Sequence, residues 1–263
     1  MILHKLSTQM HTYGRRRLII NYSKKFTFVH VPKTGGSSVA LFLAPYLGQN
    51  DLQIGTWQEC VDAGIRPNSR FYRDVFGPSR IVSTLSSLTR ASDRIEALSF
   101  SQKKKYRATL GVQPAHAGAT RIKAFDPGAW EQHFKFCFVR NPFSRMVSYW
   151  RWHEGNREKA GKAPRGFKDF LWHLTQDDNL IADAFEMYSI DGQLSVDYVG
   201  RFENLLEDMR QICNAINIPF NENAFPHAKR GRSLTYRDFY GVEERQIVEK
   251  LSQREIDAFR YVF

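Results

Sequence analysis

Apolar residues in this chain gather into short unbroken runs, separated by longer segments in which they recur every three or four positions. The run at residues 26–31 reads as a buried strand, and residues 37–46 read as a helix that stops near Pro45 and Gly48. HFKFCFVR, residues 133–140, is a second strand. Asn141 suits an N-cap and Pro142 the first helical position, so FSRMVSYWRWH is expected to be a helix. VDYVGRF (196–202) is a third apolar segment. It leads into ENLLEDMRQICNAIN, whose Leu205, Leu206, Met209, Ile212, Cys213 and Ile216 fall on one helical stripe. The closing GVEERQIVEKLSQREIDAFRYVF is expected to be helical as well, with Val242, Ile247, Leu251, Ile256 and Phe259 available to pack. Strands alternating with helices predict an α/β fold whose site lies at the carboxyl ends of the strands.

Residues 50–110 carry no sustained period of either kind and read as loops and short helices projecting from the core, over the site. Lys103, Lys104 and Lys105 within them read as a solvated helix face. With 263 residues, 42% hydrophobic and 14% aromatic, the chain fits one globular domain, with residues 1–24 as an N-terminal extension and 50–110 as an insert shaping the acceptor side. No stretch approaches the roughly 20 apolar residues of a membrane helix, and the first residues lack the apolar core of a secretory signal, so a cytoplasmic location is expected. Cys60, Cys137 and Cys213 are widely spaced and odd in number, which fits reduced thiols better than disulfides or a zinc site, and Cys137 reads as strand packing. A formal charge of +11 suggests an anionic partner without choosing among nucleotide, acidic polysaccharide and nucleic acid.

The chemistry enters at FVHVPKTGGSSVALFL, residues 28–43, where a strand meets a Gly-rich turn and then a helix. Backbone amides in such a turn, followed by a helix N-terminus, form a positive cradle for phosphate oxygens. Gly35 and Gly36 allow close approach, Ser37 and Ser38 add hydroxyls, and Lys33 supplies a charge. A Walker loop would carry its lysine after the glycines, and a magnesium NTPase wants an acid at the end of a second strand. Here Lys33 precedes the glycines and the second strand ends in Arg140.

VPKTGGSS and FVRNPFSRMVSYW together resemble the paired nucleotide-binding motifs of sulfotransferases that use 3′-phosphoadenosine-5′-phosphosulfate (PAPS), in the carbohydrate branch that includes the heparan 2-O and chondroitin/dermatan enzymes and their bacterial relatives. HAGATRIKAF, DYVGRFENLLEDM and FPHAKRGRSLTYRDFYGVEERQIVEK extend the likeness over most of residues 25–263. The resemblance implies a P-loop NTPase-like sulfotransferase fold with a central, mainly parallel sheet flanked by helices. It implies that Lys33, Thr34, Gly35, Gly36, Ser37 and Ser38 hold the 5′-phosphosulfate, and that Arg140 and Ser148 hold the 3′-phosphate. Adenosine 3′,5′-bisphosphate would be the product, and no metal is called for. The Golgi members of the family are membrane-anchored; a chain without an anchor fits a bacterial-type enzyme or a trimmed chain.

Such a transfer needs an in-line acceptor hydroxyl, charge on the leaving phosphate and a base for the hydroxyl proton. Lys33 is the candidate for the charge. Among eight histidines, His116 in a Pro/Ala/Gly turn is the candidate base, because it matches the position of the family's proposed catalytic histidine and because imidazole, with a pKa of about 6.5, can be neutral near pH 7. His30, His133, His153 and His173 read as structural or surface residues, and His227 as shaping its loop. Arg145 is divided between a cofactor contact and an internal salt bridge; Lys229, Arg230 and Arg232 are divided among cofactor, acceptor and solvent. Two other classes compete: a nucleotide-dependent kinase or NTPase on a similar scaffold, and a basic nucleic-acid-binding module. The order of the loop speaks against the first and the lack of interleaved aromatics around the basic runs against the second. Acceptor specificity is expected within residues 50–110 and 151–195.

Overall fold

A computed structural model describes residues 17–77, 94–176, 183–226 and 235–263. The chain divides into two compact units: a sheet unit made of Arg16–Val139 with Ala184–Gly231, and a helical unit containing Arg140–Asp183 and Arg232–Phe263. Among the described residues no helix is long and apolar enough to cross a membrane.

The sheet unit contains strands β1 (Leu18–Asn21), β2 (Phe26–Val29), β3 (Leu52–Ile54), β4 (Phe134–Val139), β5 (Ser189–Ile190), β6 (Gln193–Leu194) and β7 (Tyr198–Arg201). Five of them form one sheet in the order β3-β1-β2-β4-β7, while β5 and β6 make a separate antiparallel pair. The large sheet is mixed, not mainly parallel as the resemblance implied. β2–β4 and β4–β7 are parallel, whereas β1–β2 and β1–β3 are antiparallel. The link between β1 and β2 is only residues 22–25, too short for the crossover that parallel strands require. That turn is held by side chains: Asn21 Oδ1 accepts from the Lys24 amide at 2.7 Å, and the Asp51 carboxylate accepts from the amides of Tyr22 (2.8 Å), Ser23 (3.2 Å) and Gly48 (2.7 Å).

The sheet is covered by the stripes that the sequence predicts. Val39 and Leu43 of the helix Gly36–Leu43, and Met209, Ile212 and Cys213 of the helix Leu205–Ala215, are buried with Phe26, Phe28, Phe136 and Phe138 of the strands. The Phe28 and Phe136 rings stack at 5.2 Å. Residues 50–110 contribute β3 and the helices Trp57–Asp62, Ser69–Phe76, Arg94–Lys105 and Arg107–Leu110, with a core of Trp57, Cys60, Phe71, Val75 and Leu98. Buried Asp74 joins two of these helices, accepting from Lys105 at 2.5 Å, Tyr106 at 2.8 Å and Gln102 at 3.3 Å. All three cysteines are buried and unbridged. Burial pushes the thiols of Cys60 and Cys213 up to about 11 and about 12, which keeps them protonated.

The helical unit is built from Pro142–Lys159, Phe167–Gln176, Val242–Leu251 and Gln253–Phe259. The long C-terminal helix expected from the pattern is two helices with Ser252 between them. Its core joins Phe143, Met146 and Val147 to Phe170, Leu171, Leu174 and Val248. Tyr240 donates its hydroxyl to the Phe143 carbonyl at 2.8 Å, and burial raises its phenol pKa well beyond the ordinary range.

Gly200 pairs with Phe138 across β7 and β4, and a methyl group there would stand 2.4 Å from Phe138 Cε1. Gly200→Ala should therefore cost about 1–3 kcal/mol through overpacking. The measurement is a urea transition whose midpoint falls while its slope holds.

Candidate active site

β2 ends at Val29, and the chain turns through residues 30–35 into the helix Gly36–Leu43. The loop is held in an unusual shape. Lys33 has φ 70° and Gly35 φ 84°, both in the left-handed region, which costs a non-glycine residue about 1–2 kcal/mol. The buried Thr34 hydroxyl donates to the Val31 carbonyl at 2.8 Å, so its side chain closes the loop upon itself. The first helical bonds run from the Ser38 and Val39 amides to the Gly35 carbonyl, at 2.9 and 3.3 Å. The Gly36 and Ser37 amides thus stand ahead of the ladder, at the positive end of the helix. Phe202 and Leu205, just beyond β7, fill the space beside Gly35, where a Cβ would come within 3.1 Å of the Phe202 ring.

Gly36 has a second reason to be glycine: a Cβ there would lie 2.0 Å from His30 Cδ2 and 2.3 Å from its Nε2. The His30 ring is buried against the loop and stacks on His116, with centroids 4.8 Å apart and planes 16° from parallel. The two Nδ1 atoms are 3.2 Å apart, and His116 Nδ1 is also 3.2 Å from the His30 carbonyl oxygen. His116 arrives on the short turn Pro114–His116, pinned by its own amide to the Gln113 carbonyl at 2.8 Å. The candidate base is thus one ring away from the candidate anion loop. His30, read from sequence as structural, is the bridge between them. Alternation from Phe26 and Phe28 carries His30, the residue after β2, onto their face, with the Phe28 and His30 rings 6.0 Å apart, but nothing in the sequence signals its contact with His116.

The second motif lies in the helical unit. Asn141 caps the helix Pro142–Lys159, accepting from the Phe143 and Ser144 amides at 3.0 and 3.3 Å. Arg140 donates from Nε and a terminal nitrogen to Ser144 Oγ, at 3.0 and 2.7 Å. Ser148 follows Ser144 by four residues on the same face and is half-buried, so Arg140, Ser144 and Ser148 form one polar stripe. Ser144 was missed because its hydroxyl matters only through Arg140. Arg145 turns into the interior. Its guanidinium pairs with Glu255 at 2.8 Å, both side chains being fully buried, which settles its role as an internal ion pair.

His133 meets Thr27 Oγ1 at 3.1 Å, and burial lowers its pKa. His153 pairs with Glu154 at 3.3 Å and is also lowered by burial. Both have structural roles. His227, Lys229, Arg230 and Arg232 lie outside the described residues.

The strand–loop–helix, the parallel strands β2, β4 and β7 and the histidine at the loop together make an α/β scaffold. Residues 16–261 match the sulfotransferase family, and the chain belongs to it; sulfuryl transfer is its general chemistry. No curated protein and no solved structure matches the chain.

Removing one partner of the buried pair should cost about 3–5 kcal/mol, because a desolvated charge is left behind. Glu255→Ala is expected to lose that much in urea denaturation, and adding Arg145→Met should restore most of it.

Proposed function

We propose that this enzyme transfers the sulfuryl group of PAPS to a hydroxyl of a sugar or glycoconjugate, as a bacterial-type member of the carbohydrate branch. The observation that carries the proposal is the juxtaposition of His116 and the Gly36 end of the loop through the His30 ring. Anion cradle and proton acceptor are then within one another's reach, as a transfer between phosphate and hydroxyl oxygen requires.

In this reading Lys33 and the backbone of Thr34, Gly35, Gly36, Ser37 and Ser38 hold the 5′-phosphosulfate, with the Ser37 and Ser38 hydroxyls adding donors. Arg140 and Ser148 hold the 3′-phosphate; a forked guanidinium beside the Ser144 hydroxyl, with Ser148 one turn further along the helix, is a donor set that suits a phosphate dianion. His116 takes the proton of the acceptor hydroxyl as its oxygen bonds to sulfur. The bond from sulfur to the phosphate oxygen breaks with its electron pair leaving on the phosphate, and Lys33 balances that charge. These cations supply the stabilisation, so no metal is required. The family match over residues 16–261 spans both units, in keeping with one sulfotransferase domain; in this reading residues 50–110 shape the acceptor side. Three buried, unbridged cysteines suit a reducing, cytoplasmic setting.

Calorimetric titration is the test. Adenosine 3′,5′-bisphosphate without metal should bind, and ATP with Mg²⁺ should not compete with it; tight ATP binding without bisphosphate binding would overturn the proposal. Arg140→Ala should weaken bisphosphate binding about tenfold or more, the loss of a charge-assisted hydrogen bond. His116→Ala should leave that affinity intact and slow turnover by about 10²–10⁴.

A further inference from the structure

Resting on the role given above to His116, we propose that His30 is its positioning residue, and that it fixes His116 in the tautomer with the proton on Nδ1. His116 Nδ1 faces two atoms of one residue, the carbonyl oxygen and the Nδ1 of His30, each at 3.2 Å. A carbonyl oxygen can only accept. If His30 Nδ1 carried the shared proton, the His116 lone pair would face that carbonyl oxygen and the contact would be repulsive. A proton on His116 Nδ1, shared between the two acceptors, is the assignment that makes both contacts attractive.

Two consequences follow for the site. His116 in its neutral state has Nε2 as the proton-accepting nitrogen, the form a general base needs, and its imidazolium keeps the Nδ1 hydrogen bonds after Nε2 is protonated. His30 in turn carries its own proton on Nε2, at the ring edge lying over Gly36, where only a residue without Cβ fits. The ring is 3% exposed, and its position is set by β2 and the loop rather than by solvent. His30 thus ties the tautomer of His116 to the backbone of the anion loop. Free imidazole in water prefers the opposite tautomer, with the proton on Nε2, so the arrangement has work to do.

Long-range proton–nitrogen NMR of the chain labelled with ¹⁵N-histidine, at a pH where His116 is neutral, reads this directly, with His116→Gln assigning the resonance. A protonated Nδ1 and a bare Nε2 in the unmodified protein are expected, and the reverse pattern overturns the proposal. His30→Asn, whose Oδ1 takes the place of Nδ1 as an acceptor, should retain the pattern. His30→Phe, which keeps the ring but offers no acceptor, should shift His116 towards the Nε2–H form; an unchanged pattern in the Phe variant overturns the role of the His30 side chain. Bisphosphate titration of the same proteins reads the proposed function separately. Failure to bind in the unmodified protein would sink the PAPS reading and leave the tautomer result standing.

Discussion

The approach of the His30 ring to the backbone of Gly36 is the constraint on which the site depends. With 2.0 Å between the His30 ring and the place of a Cβ, no other residue fits at that point of the loop. The ring can lie there because β2 delivers it: Val29 is locked in parallel register with Cys137, and the next residue continues on the face that buries Phe26 and Phe28. His116 stacks on a face of the same ring, which brings the Pro114–His116 turn beside the residue that follows β2. One absent methyl group thereby couples the strand, the glycine loop and a segment more than eighty residues away in the chain.

Hydrophobic period made the covering helices legible. The stripe through Met209, Ile212, Cys213 and Ile216 is buried as its spacing requires, and Asn141 and Pro142 start their helix for the reasons their side chains suggest. Short elements were harder. β1 and β3, of four and three residues, lack the length for a period to show, and their antiparallel pairing follows from a turn held by Asn21 and Asp51 rather than from their apolar content. The break at Ser252 was hidden because apolar spacing resumes beyond it. At the candidate site, the loop could be singled out by residue order and His116 by the resemblance. The part of His30 could not, since it arises from a contact across 86 positions.

Arg140 and Arg145 show how helical period sorts identical chemistry. Arg140 precedes the N-cap, and its guanidinium is spent on the Ser144 hydroxyl in the first turn. Arg145, one residue beyond Ser144, turns into the interior with Met146 and Tyr149, where the only tolerable state for a cation is paired. A motif that lists both as basic residues hides this difference. One arginine bonds a hydroxyl of the helix that follows it, and the other holds the Gln253–Phe259 helix to the rest of its unit.

The left-handed backbone at Lys33 has a consequence for how this protein can change. Conformational energy alone favours glycine or asparagine at φ 70°. Drift or laboratory selection that rewards only a higher melting temperature would therefore favour losing the lysine, gaining on the order of 1 kcal/mol. A lysine that persists in such a conformation is a mark of selection on charge against selection on fold. If Lys33 has the role proposed for it, inactive descendants of this chain would be recognisable first at that residue, while the sheet beneath it remained unchanged.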